Sequence, residues 1–239
     1  DAVRARVGDR QVLAAVKANA YGHGAVEVGR LLEREGLADW LGVAITSEGA
    51  RLRDGGVTLP ILKFTPTLPG DLAEAIAADI TLSVGSVDEA RAAQAAAAEA
   101  GRRVDVHVAV DTGMRRVGTE PENVGNLARV LADCPDLHVG GIFTHLPISD
   151  VPAGEEFTRA QFARFEQAVD DLEAVVGPVE LVHAANSGAV LGHDLGRTTM
   201  VRPGVMIYGS YPDPLTEHTR ALRDVGSWIT RVSFLKRIR

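Results

Sequence analysis

The stretch VKANAYGHG, residues 16–24, sets one lysine, Lys17, directly behind the apolar run Val12–Val16. A strand buried as far as Val16 would deliver that amine to the edge of a core. A lysine amine is nucleophilic only when neutral, so burial or nearby cations must draw its pKa below about 10.4. Four later stretches carry groups such an amine could work with. VDTGMRRVG holds Asp111, Thr112, Arg115 and Arg116, and GIFTHLP holds Thr144 and His145. HAANSG holds His183, Asn186 and Ser187, and VRPGVMIYG holds Arg202, Gly204, Val205 and Tyr208. A lysine converging with arginines suggests Schiff-base chemistry at a carbonyl carbon. Backbone N–H groups and hydroxyls bind phosphate. RPGV, NSGA, Tyr21 and Ser187 offer both, so pyridoxal 5'-phosphate (PLP) fits better than a simple aldolase-type substrate.

These groups meet only if the fold gathers the ends of several strands. β-rich runs at 12–17, 41–45, 61–64, 80–84, 104–110, 139–144, 180–183 and 199–205 alternate with helical patterns near 24–35, 46–54, 70–78, 86–100, 122–133, 155–176 and 187–191. Ser86 and Thr158 stand where helices start, and Gly36, Gly55, Gly101 and Gly177 where they stop. Such alternation predicts a parallel sheet. Eight units predict an α/β fold of the closed (β/α)8 TIM-barrel type, with its chemistry at the C-terminal strand ends. The runner-up, a doubly wound open sheet, needs G-x-G-x-x-G after strand 1, and KANAYGHGAVEVG matches that poorly. Beyond Tyr208 a polar, proline-containing connection leads to SWITRVSFLKRIR, where Trp228, Thr230, Val232, Phe234 and Ile238 share one side of an expected strand. The expected division is a PLP-binding barrel over 1–210. Residues 211–239 are then a linker and the start of a truncated C-terminal β domain.

The net charge of −7 argues against nucleic acid or an anionic membrane as partner. A single cysteine, Cys134, excludes an intrachain disulfide and fits a reducing compartment. No run of about 18 apolar residues occurs, and DAVRARVGDR carries no signal core. The resulting expectation is a cytoplasmic protein with no metal site.

Taken in order, VKANAYGHG, DTGMRRVG, FTHLPISD, HAANSG and RPGVMIYG resemble the motifs of alanine racemases, PLP enzymes of fold type III. The resemblance covers nearly the whole chain. It implies interconversion of L- and D-alanine for cell-wall precursor supply, by a homodimer. Lys17 then carries PLP and acts as one catalytic base. Tyr21, Ser187, Gly204 and Val205 bind its phosphate, with Asn186 beside them. Arg202 faces the pyridine nitrogen, His145 and His183 support that arginine and the ring, and Arg116 contacts the phenolic oxygen and the substrate carboxylate. An arginine keeps its proton, so the ring becomes a weaker electron sink and racemisation is favoured over transamination.

Two departures from the family stand out. Many members carry a carbamylated lysine two residues before the strand-5 aspartate, a position held here by Ala109. Arg116 is then expected to find another anion, and Arg115 occupies a place usually small or amide. The family also draws its opposite-face base, a tyrosine, from the later β domain, so this chain alone is expected to be a weak racemase or none. A broader or serine-preferring racemase remains an alternative, as does a non-enzymatic PLP-homeostasis barrel, against which the Arg202 motif and the trailing strand speak. His107, His138, His193 and His218 read as packing or surface groups, Asp111 as a cap, and Lys63 as an outward, snorkelling lysine.

Overall fold

The computed structural model of the protein describes residues 2–214, 221–227 and 229–238. Runs rich in Val, Ile and Leu form eight parallel strands: β1 (Gln11–Ala15), β2 (Trp40–Val43), β3 (Ile61–Pro66), β4 (Ile80–Val84), β5 (Val104–Ala109), β6 (Leu137–Phe143), β7 (Leu181–His183) and β8 (Met200–Val201). Their order is β7-β6-β5-β4-β3-β2-β1-β8. The ring closes where Thr199 N–H donates to Val182 O at 2.9 Å and Arg202 N–H to Ala185 O at 2.7 Å. The expected barrel is therefore present, with every expected strand in it. The eighth is shorter than 199–205, because Pro203 has no N–H to continue a ladder.

The helices between the strands are α2 (Ala25–Arg34), α3 (Thr46–Asp54), α4 (Leu72–Ala77), α5 (Val87–Ala100), α6 (Val124–Ala132), α7 (Glu155–Val176) and α8 (Ser187–Gly192). A helix the sequence reading passed over, α1 (Ala2–Val7), precedes β1 and buries Val3 and Val7. Helix α5 starts at Ser86, whose hydroxyl accepts from Glu89 N–H at 3.2 Å, and stops at left-handed Gly101. Thr158 is not a helix start: α7 begins three residues earlier, behind the 3-10 turn Pro152–Gly154, and Thr158 is buried within it.

Alternation along the strands builds two cores. Leu13, Leu62, Leu181 and Met200 fill the barrel interior with Trp40 and Phe64. A Cβ on Gly42 would collide with Phe64 and Leu13, so glycine there lets the aromatic ring cross the barrel. A larger aliphatic layer seals strands against helices. Lys63 points into that outer layer, as expected from its place between Leu62 and Phe64. It does not snorkel to solvent, however. It is 3% exposed, and its Nζ donates to Thr65 O (3.0 Å), Thr65 Oγ1 (3.1 Å) and Pro66 O (2.6 Å).

The strand expected over 228–238 is not formed by residues 229–238, whose apolar side chains stand in solvent; Phe234 is 78% exposed. A strand needs an edge, and β7 and β8 bond to each other. Trp228 and His218 lie outside the described residues.

Candidate active site

Lys17 stands two residues beyond the end of β1, at the C-terminal mouth of the barrel. The residues after it, Ala18, Asn19, Ala20 and Tyr21, all have φ between 51° and 54°. Four consecutive non-glycine residues in the left-handed region cost about 1–2 kcal/mol each. Tertiary bonds hold them. Glu48 Oε1 accepts from Ala18 N–H at 2.6 Å, while its Oε2 accepts from Ala44 N–H at 2.7 Å and Ile45 N–H at 3.3 Å. Asn19 Oδ1 caps α2 by accepting from Ala25 N–H at 3.0 Å. Strained backbone of this kind concentrates at functional sites. The turn fixes Lys17 half-buried, 6.0 Å over the Phe64 ring. Its pKa is lowered, first by burial and then by Arg116 and Arg202, with Glu48 opposing. Each lowering cause favours the neutral, nucleophilic amine.

Beside Lys17 two chain turns converge. Asn186 caps α8, its Oδ1 accepting from Ala189 N–H at 3.1 Å and from Ser149 Oγ at 2.8 Å. Its Nδ2 donates to Leu146 O at 2.7 Å, so Asn186 ties the loops together. Ser187 Oγ accepts from Gly204 N–H at 2.9 Å, joining the start of α8 to the 3-10 turn Val205–Tyr208. A Cβ on Gly204 would lie 2.7 Å from the Tyr21 hydroxyl, so only glycine allows that approach. Tyr208 supports Tyr21 from behind, with ring centroids 5.0 Å apart and its hydroxyl donating to Ala15 O at 2.9 Å. First-turn amides lack intrahelical acceptors. With the Tyr21 and Ser187 hydroxyls they make a cradle suited to a phosphate group.

Arg202 forms the floor of the mouth and is 6% exposed. Its Nη1 donates to His183 O (2.6 Å) and His183 Nδ1 (3.2 Å), and its Nη2 to Thr144 O (2.5 Å) and Ala184 O (3.3 Å). Of the five guanidinium donors, only Nε–H lacks an acceptor among the described residues. The guanidinium stacks 5.4 Å over Phe143. Burial pulls its pKa down to about 9, still above neutrality, so it stays a cation. His145 is held neutral, its pKa lowered to about 3 by burial and then by Arg202, Arg116 and Lys17.

The DTGMRR loop is folded by Asp111, whose Oδ1 accepts from Gly113 and Arg115 N–H groups, each at 2.9 Å. Arg115 turns away to Glu120, which Arg164 also approaches. Arg116 is exposed in the mouth. Of the anions expected for it, no carboxylate pairs with it among the described residues; Glu120, the acid in its own loop, pairs with Arg115.

Lys17, Tyr21, Arg116, His145, Asn186, Ser187, Arg202, Gly204 and Val205 thus line one cavity of about 300 Å³, within the range of small-ligand sites. His183 does not line it; it stands behind Arg202. The sequence reading passed over Phe64 and Phe143 in the wall and Glu48 at the turn, and read His107 as a packing or surface group; it is buried and bonds His183 inside the barrel. His138 pairs with Asp105 on the surface and His193 Nε2 donates to Ser149 O at 2.9 Å, as structural groups.

Comparison with known proteins agrees with this geometry. An alanine racemase of Cutibacterium acnes is 49% identical over 236 residues, covering 99% of this chain and 63% of its own length. An alanine racemase of Chlorobaculum tepidum is 39% identical over 240 residues, covering 99% of this chain and 62% of its own. The alanine racemase of Clostridium difficile 630 in complex with cycloserine superposes with a TM-score of 0.88 at 34% identity, over 93% of this chain and 61% of that one. The chain therefore spans about three fifths of the length of the relatives it matches. Residues 1–212 match the family model described as alanine racemase, N-terminal domain, and the chain belongs to that family.

Proposed function

We propose that this chain is the PLP-binding barrel of an amino-acid racemase that interconverts L- and D-alanine. The observation that carries the reading is a lysine with lowered pKa in one cavity with an arginine that has no carboxylate partner among the described residues, the cavity's side wall being a phosphate-type cradle. When bound, PLP supplies the electron sink that acidifies the substrate Cα–H. Lys17 would hold it through Nζ, and the Tyr21 and Ser187 hydroxyls, with the backbone at Gly204 and Val205, would hold its phosphate. Arg202 would offer its Nε–H to the pyridine nitrogen while keeping its own proton. Arg116, free of an acidic partner among the described residues, can receive the substrate carboxylate. Lys17 moves the proton on one face of Cα.

The opposite face needs a second acid–base group. Tyr208 donates to Ala15 O, Tyr21 belongs to the cradle, and the Tyr211 hydroxyl accepts from Leu222 N–H. Each tyrosine is committed elsewhere, which supports a second base outside the barrel. We read 211–239 as the linker and start of a further β domain, in which 229–238 would pair as the first strand. Ile45, Leu68, Ile148 and Phe157 stand exposed on the loops and helix start around the mouth, which supports a homodimer that covers it. The test is to follow loss of optical rotation of L-alanine alongside Cα deuterium exchange. Exchange with retention by this chain supports the one-base barrel. Racemisation by this chain at a full-length enzyme's rate refutes it. Serine run in parallel tests the broader-specificity alternative.

A further inference from the structure

Behind the floor of the mouth, His183 and His107 lie wholly inside the barrel. Arg202 can only donate, so its 3.2 Å contact makes His183 Nδ1 an acceptor. The proton of a neutral His183 then sits on Nε2, which is 2.9 Å from His107 Nδ1. That nitrogen must accept in its turn, and His107 carries its own proton on Nε2. Burial and the Arg202 charge keep both rings neutral. Each ring turns its lone-pair nitrogen toward the guanidinium, so two imidazole dipoles stand where a carboxylate would otherwise be needed to compensate a buried cation. The arrangement is built for the ring. A Cβ on Gly141 would lie 3.0 Å from two atoms of His107, and the β5–β6 register shifts between Val106 and His107. Trp40 packs on its other side, with centroids 5.4 Å apart.

We infer that His107 is a positioning residue for Arg202. By accepting from His183 Nε2–H it locks His183 in the tautomer that accepts from Arg202, and so holds the guanidinium with Nε–H left for the mouth. Its consequence for catalysis rests on the racemase reading; the tautomer chain itself is a property of the protein alone.

Long-range 15N–1H spectra of the purified protein, with and without PLP, test it. Both rings are expected neutral with the proton on Nε2 from about pH 5 to 9. In His107→Leu the acceptor is gone, and His183 is expected to populate the Nδ1–H tautomer. kcat for Cα deuterium exchange is then expected to fall about 10- to 100-fold with little change in KM, the size of loss seen when the orienting partner of a metal-bound histidine is removed. His107→Asn keeps an acceptor oxygen in the place of Nδ1 and is expected to restore both readouts. An Nδ1–H proton on either ring of the native protein overturns the inference, as does an unchanged His183 in His107→Leu. Should His107→Leu not fold, the native spectrum and His107→Asn decide alone. The expected tautomers and shift in a protein that neither racemises an amino acid nor exchanges its Cα proton would sustain the inference and refute the proposed function.

Discussion

Lys17 and Lys63 both lie at barrel strands, both are desolvated, and burial lowers the pKa of both. Their second causes differ. Asp71 and Glu89 push Lys63 back toward charge, and three oxygen acceptors surround its ammonium. Around Lys17 the next largest influences are two cations, Arg116 and Arg202. Lys63 is a charge that stitches a strand end together. Lys17 is an amine whose neighbours discourage its proton. Burial alone does not make a lysine chemical; the absence of acceptors and the presence of cations do.

The largest expected effect separates the two directly. Lys17→Ala removes both the attachment point and a base, and should lower turnover by at least the roughly 10²–10⁴-fold of a lost acid–base group. Lys63→Met should leave cofactor attachment intact and instead cost about 1–3 kcal/mol, because the carbonyls of Thr65 and Pro66 lose their donor. Cα exchange rates and cofactor attachment, measured beside urea denaturation for the two variants, check both halves of the contrast.

Acid should expose the same burial elsewhere. The folded pKa of His107 is about 3, below the roughly 6.5 of an unfolded histidine. Between those values the unfolded chain binds a proton that the folded chain does not, so stability is intact above pH 6.5 and falls as pH drops toward 3. The slope per buried histidine is about 1.4 kcal/mol per pH unit. His107→Asn should reduce the total slope by one histidine's share in denaturation curves taken across that window.

How much of this was legible in the sequence follows from which interactions are local. Strands and helices were readable because the periods of apolar residues are local, and the strand ends then named the mouth. The part played by His107, read only as packing or surface, escaped because a polar residue on the inner face of a barrel strand has no periodic mark, and its meaning comes from His183, 76 residues later. Glu48 escaped for the same reason, bonding Ala18 from 30 residues away. The left-handed turn was hidden altogether. Glycine marks such backbone, and residues 18–21 contain none. The clamp from Glu48, 30 residues from Ala18, together with the Asn19 cap, imposes the conformation.

That clamp gives the smallest expected effect. Ala18 is exposed and left-handed. Ala18→Gly should relieve strain partly offset by unfolded-chain entropy, a net gain of no more than about 1 kcal/mol in thermal unfolding. Glu48→Ala should move stability the other way and slow the trapping of PLP by Lys17, read by absorbance.

The most direct test uses the fact that the chain has three lysines, Lys17, Lys63 and Lys236. PLP added to the purified protein and fixed with borohydride will mark the lysine that forms the Schiff base, and peptide mapping will locate it. The account predicts the label on Lys17 alone. A label on Lys63 or Lys236 with Lys17 unmodified would contradict it.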